Sequence, residues 1–329
     1  MFQFPLLPRG DFMKCTIAMM FAFCSLAVSA HAQPLIGHWT FDETSGTTAS
    51  DSVAGGTDGA IGANVTLGVP GAVGTAFSFP GENTQDGIVD FGNALSVISP
   101  IVLRDRVSIS AWFNWTDNPV VRSTALSIAS TTTNQNFIAI GFTGSTPTSP
   151  PPPAPGVVFN TEGGVYGGIN ILGNTDEVVN TTGRNTGGTL VDDTVIPEGT
   201  GTPLNDGQWH HVAMTIDGNT DTVELFVDGV SVGTNPNPPF AADGEFQPTM
   251  DNFEVGRLGR GTALPTPGAC CQSITMVDDI QIYQRVLSGS EVSSLYNNPG
   301  EVVVPEPASI ALLGLGLLGL VLLGRQRRT

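Results

Sequence analysis

Lysine is all but absent from this chain of 329 residues: Lys14 is the only one, and every later basic side chain apart from histidine is an arginine. Twelve basic residues face 30 acidic ones, and between residues 33 and 304 the balance is 7 against 28, a net charge near −21. A surface of that sign repels phosphate backbones and anionic membranes, which excludes nucleic acid as a partner and favours cations and solubility. Cysteine is scarce as well. Cys15 and Cys24 fall in the first 32 residues, which leaves only Cys270 and Cys271. Neighbours in sequence cannot tie distant segments together. They can close a strained vicinal ring, stay free or pair between chains, and the vicinal disulfide is the preferred reading. Stability must therefore come from a hydrophobic core, for which residues 33–304 are enough. Long helix formers are few, and no repeat of fixed period is evident.

Long apolar runs do occur, one at each end. From Met13 the chain has one basic residue, Lys14, an apolar stretch from Ile17 to Val28, and Ala30-His31-Ala32 as a small-x-small cleavage site. That is the order of a secretory signal, with Gln33 as the first mature residue. Residues 1–12 do not fit such a signal, so Met13 is expected to be the true start and residues 1–32 to be removed. The second run, Ala308 to Gly324, is uncharged and ends in Arg325-Gln326-Arg327-Arg328. Its 17 residues reach about 25 Å at ~1.5 Å each, just short of a hydrocarbon core, and predict a single transmembrane helix. The arginines stay cytoplasmic, so everything before Val304 faces away from the cytoplasm.

With Pro305-Glu306-Pro307 in front of that run, residues 301–329 resemble the PEP-CTERM sorting signal of Gram-negative bacteria that make extracellular polysaccharide. The resemblance implies that an exosortase-type membrane protease recognises Pro305, Glu306 and Pro307 and cuts near them. It places the body in the cell envelope, on the outer surface or in the extracellular matrix. An ordinary tail anchor that is never cut is the competing reading.

The body between the ends reads as all-β. Short alternating segments are bounded by Gly, Asn, Asp and Pro. Val107, Ile109, Ala111, Phe113 and Trp115 share one face of a strand, and Phe137 to Phe142 is another. His211 to Ile216, Val223 to Val227 and Val230 to Val232 form a meander whose turns carry Asp217-Gly218-Asn219 and Asp228-Gly229. One helix is persuasive, with Ser288 and Glu291 as a capping box and Val292, Leu295 and Tyr296 on the packing face. Thr146 to Pro155 lacks the backbone donors a sheet needs and is expected to be an exposed polyproline-like loop. Residues 162–205, rich in Gly, Asn and Thr, are expected to be the least regular part.

Four ordered segments are similar to the laminin-G-like, concanavalin A-like jelly-roll family. They are His38 to Gly46 with Asp51 and Asp58-Gly59; Pro70-Gly71 to Phe79 with Gly87 to Phe91; Ser108 to Trp112 with Asp206 to Ala213; and Met276 to Tyr283 with Arg285 to Ser288 and Glu291. The resemblance covers nearly all of residues 33–300 and implies a β-sandwich whose first and last strands lie side by side. Members often hold a structural Ca²⁺. Here the oxygen ligands would come from Asp42, Asp51, Asp58 and Asp279, because a hard cation takes several carboxylate and carbonyl oxygens. The other reading of these aspartates is turn formation. Trp209-His210-His211 is a structural hallmark of the family, so packing and backbone partners are expected for these histidines rather than catalysis or zinc.

Related folds include glucanases, which need two close carboxylates on one strand. Their Glu-x-Asp-x-x-Glu pattern is absent; Glu224 and Asp228 come nearest, with Asp228 consumed by a turn. No serine or cysteine has a convincing histidine partner. The expectation is a non-enzymatic lectin-like surface that contacts carbohydrate or matrix polysaccharide, with a structural or adhesive matrix protein and a glycoside hydrolase as alternatives. Sugar sites pair aromatic faces with polar groups. Trp112 and Asn114, opposite the Val107 face, and Tyr166, in the Gly163–Gly168 stretch, are the ligand candidates, unless the long insertion buries Trp112.

Overall fold

The computed structural model describes residues 35–81, 85–94, 97–98, 106–116, 123–130, 137–142, 165–171, 174–180, 204–220, 222–235, 250–257 and 274–303. The predicted signal, the 146–155 loop, Cys270, Cys271, Pro305 to Pro307 and the apolar run 308–324 lie outside them. Among the described residues no helix is long and apolar enough to cross a membrane. By internal contacts, residues 35–303 form one compact unit.

Among the described residues the body has sixteen strands, a short 3-10 turn (Gln85–Gly87) and one α-helix. The strands are β1 (Leu35–Trp39), β2 (Thr48–Ala49), β3 (Gly59–Ile61), β4 (Thr66–Pro70), β5 (Thr75–Pro80), β6 (Val89–Gly92), β7 (Arg106–Asn114) and β8 (Ser123–Ala129), then β9 (Phe137–Phe142), β10 (Val165–Ile171), β11 (Asn174–Asn180), β12 (His210–Asp217), β13 (Thr222–Val227), β14 (Val230–Asn235), β15 (Asn252–Val255) and β16 (Ile274–Tyr283). The helix, α1, is Gly289–Asn297. Two antiparallel sheets result. One runs β14-β13-β12-β7-β16-β5-β4, the other β11-β10-β9-β8-β15-β6-β3-β2. Strand β16 is the hinge of the first sheet: β5 pairs its first half, Ile274 to Val277, and β1 pairs its second half, Ile280 to Tyr283, so the first and last strands do lie side by side.

Alternation explains the sandwich. Val107, Ile109, Ala111, Phe113 and Trp115 enter one core with Val212, Met214 and Ile216 from β12 and Ile128, Ile138 and Ile140 from the opposite sheet. Aromatic rings fill its centre: Phe91 stacks on Phe253 at 4.4 Å, Trp39 tilts against both, and Trp115 stacks on Phe142 at 4.1 Å. A second, smaller core lies on the other face of the first sheet, where Val292 and Leu295 of α1 pack on Ala213, Phe226, Tyr283 and Leu287. The capping box forms as the sequence predicts: Ser288 accepts from the Glu291 backbone, and Glu291 accepts from the Ser288 N–H.

The stretch expected to be least regular contains a hairpin. Strands β10 and β11 pair with each other, and β10 also pairs with β9. Its glycines hide it from a periodicity argument, yet one of them has a packing reason. A Cβ at Gly167 would lie 2.6 Å from Met214 Sδ, so the two sheets approach closely there and admit no side chain.

Candidate functional site

The seam between β1 and β16 gathers most of the chemistry. Asp279 has φ +47 and sits in a bulge of β16 between Asp278 and Gln281. The extra residue lets two consecutive aspartates serve different neighbours. Asp278 Oδ2 accepts the Val73 N–H at 2.8 Å, while Asp279 Oδ1 meets His38 Nε2 at 2.7 Å and its Oδ2 accepts from Gln281 Nε2 at 3.0 Å. Asp278 is 0% exposed and its Oδ1 has no hydrogen-bond partner. Burial pushes its carboxyl up to about 7, against the Val73 hydrogen bond, and the charges of Asp279 and Asp42 push the same way.

The turn after β4 cradles these carboxylates. Thr75 N–H donates to Asp42 Oδ1 at 2.8 Å. A Cβ at Gly71 would stand 2.5 Å from Asp278 Oδ2, and one at Gly74 would stand 2.3 Å from Asp42 Oδ1. Both positions therefore exclude a side chain, which explains the two glycines of the Pro70 to Thr75 segment.

The four aspartates named from the sequence do not form one ligand set. Asp51 accepts the N–H groups of His38 and Val53 on Oδ1 and of Thr57 on Oδ2, and Asp58 accepts the Asp51 N–H. These two shape the loop between β1 and β3. Asp279 has both oxygens engaged by side chains, and Asp42 holds the 70–75 turn. Among the described residues no group of three or more His, Cys, Asp or Glu is arranged to hold a metal ion. Among the described aspartates the buried oxygen without a partner belongs instead to Asp278, which the sequence pattern did not single out because a bulge is invisible to alternation.

The ligand candidates are also placed. Trp112 is 7% exposed and stacks on Tyr296 of α1 at 5.8 Å, so the helix covers it. Asn114 is 6% exposed and donates to the Gly207 carbonyl at 2.7 Å. Both are spent on packing, which leaves neither as an open sugar platform. Tyr166 lies on β10, paired to β9 and β11, rather than in a loop.

The adjacent histidines divide the labour their pattern suggested. His210 bridges Asp228, at 2.9 Å from Nδ1, and Asp206, at 3.3 Å from Nε2; the Asp228 hydrogen bond raises its pKa. His211 is buried with Nε2 against Ser110 Oγ at 2.8 Å, and burial lowers its pKa to about 4. Asp228 also caps the His211 N–H, so it is a turn residue. A Gly-x-Ser-x-Gly string does occur, Gly229 to Gly233. It enters strand β14 from the tight turn after β13, and Ser231 donates to Glu224, so it builds no nucleophile elbow.

These features define a lectin-type sandwich with a sorting tail. Residues 89–293, more than half of the chain, match the family model of the concanavalin A-like lectin/glucanases superfamily, and the chain belongs to that family. Residues 303–328 match the PEP-CTERM protein-sorting motif, which marks proteins exported and sorted to the cell surface in bacteria and implies exosortase processing. No curated protein matches the chain in sequence. Among solved structures, the binding domain of botulinum neurotoxin DC in complex with SialylT is similar, with 13% identity over 82% of this chain and 53% of that one and a TM-score of 0.50. The binding domain of Paraclostridial Mosquitocidal Protein 1 gives 12%, 80%, 52% and 0.50. This chain thus spans about half the length of those binding domains. Domain 4 of AbnA, an extracellular arabinanase from Geobacillus stearothermophilus, in complex with arabinotriose, gives 16%, 80%, 98% and 0.46.

Proposed function

We propose that the mature protein is a non-enzymatic, surface-displayed sandwich of a Gram-negative cell envelope that contacts carbohydrate or matrix polysaccharide. The observation that carries this reading is the union of a lectin-family body with a sorting tail in one chain. Against a hydrolase stands the use of the nearest carboxylate pair: Glu224 accepts from Ser231, and Asp228 holds a turn and two histidines. A glycan array probed with residues 33–304 tests it. Retention of at least one polysaccharide class is the expected result. A blank array with self-association of the protein favours the structural or adhesive reading, which the burial of Trp112 and Asn114 supports.

We further propose that the family's structural calcium belongs with Asp278 and Asp42, so that of the four aspartates read from the sequence only Asp42 would take part. Support comes from the orphaned, buried Oδ1 of Asp278 beside two other carboxylates in a seam that joins the ends of the domain. When bound, the ion would neutralise that charge and tie β16 to the 70–75 turn. Its role is stability, and no chemical step passes through it.

A further inference from the structure

The last residues of the body are tied down by a chain of buried groups. After α1, Asn298 donates its N–H to the Ser294 carbonyl and the Glu301 N–H returns to the Asn298 carbonyl. Gln281 Nε2 then donates to the Glu301 carbonyl at 2.9 Å, and the Val303 N–H donates to the Tyr283 hydroxyl at 3.0 Å. The Tyr283 hydroxyl itself donates to Gln281 Oε1 at 2.6 Å, Gln281 Nε2 donates to Asp279, and Asp279 meets His38. Tyr283, Gln281, Asp279 and His38 are all buried. Val303 and Leu35 pack on the core beneath α1. Residues 298–303 are thus a strap, held at its carbonyl side and its amide side by β16.

The strap ends one residue before the sorting motif, since only Val304 separates Val303 from Pro305. Two residues of extended chain span at most about 7 Å. A peptide entering a protease groove is taken in extended form through its own backbone N–H and C=O groups. The N–H and C=O of Glu301 and the N–H of Val303 are already occupied while the strap is docked.

We propose that the strap blocks processing of the folded body, so that the membrane protease cuts chains whose residues 298–303 are undocked, and cutting is ordered before the strap closes onto β16. This rests on the reading of Pro305 to Pro307 as a site of cleavage. After the cut, the new C-terminus docks beside β1 and the domain is sealed.

The test uses the full chain, folded and purified in detergent, and presented to membranes from cells that contain exosortase, with shortening followed by mass spectrometry. Four proteins are compared: the natural sequence, an insertion of ten Gly/Ser residues between Val303 and Val304, Tyr283→Phe, and a variant with Pro305, Glu306 and Pro307 all changed to alanine. The insertion leaves the body untouched and frees the motif, so it is cut at least tenfold faster than the natural sequence. Tyr283→Phe, which removes the acceptor for Val303, falls between them, and the triple-alanine protein is not cut. Equal rates for the natural sequence and the insertion overturn the strap while leaving the cleavage reading intact. If no protein is cut, including the insertion, the cleavage reading itself fails and the strap proposal falls with it.

Discussion

His211 shows how one buried side chain gives the domain a pH dependence. Its ring packs against both Trp112 and Tyr296, bonded to Ser110, with Nδ1 unpartnered. The neutral ring is favoured in the fold because a charge there would be buried. Its contribution to stability is therefore complete above the unfolded value near 6.5 and is lost as pH falls toward about 4. Between pH 7 and 4.5 that loss amounts to about 2–3 kcal/mol. His211→Phe, which keeps a ring in place, should lose less stability than the natural protein over this range when urea midpoints are compared. Equal losses would mean the ring does not stay neutral. His210 acts in the opposite sense, since its raised pKa favours the fold below 6.5, but it is present in both proteins.

At the scale of elements, α1 decides what the first sheet exposes. Without the helix, the outer face of β7 would present Ser108, Ser110, Trp112 and Asn114 to solvent; with it, Trp112 becomes a core residue. The helix has only nine residues, too short to be stable alone, so its cap and its packing must act together. Ser288→Ala removes the side-chain half of the capping box and should cost about 1 kcal/mol in chemical denaturation. A change below about 0.3 kcal/mol would show that packing alone sets the helix start. The strands β7, β12 and β13 were legible in alternation because each presents one face to the main core. The hairpin β10–β11 was not, because close sheet approach selects glycine at Gly167, and glycine carries no hydrophobic pattern.

Across the whole molecule, the seam closes the fold by joining residues more than 200 positions apart: His38 with Asp279 and Val73 with Asp278. A cation held there by Asp278 and Asp42 would stabilise the entire domain. Removing it with a chelator should lower the melting temperature of the natural protein by roughly 5–10 °C. Asp278→Asn should make the melting temperature indifferent to the chelator. A natural protein whose melting temperature is unmoved by the chelator would rule out a bound ion at the seam. Loss of a seam contact is felt globally because β16 touches β1, β5 and β7.

Composition, alternation and the order of motifs determined the all-β body, its meander, its capped helix, its acidic charge and the sorting tail. These are properties of local pattern, and local pattern is written residue by residue. Tertiary structure alone decided which aspartate keeps a free oxygen, which tryptophan is covered, and how residues 298–303 are tied to β16. Each of those depends on a bulge, a crossing helix or a partner far away in the chain, and none of the three leaves a period in the sequence.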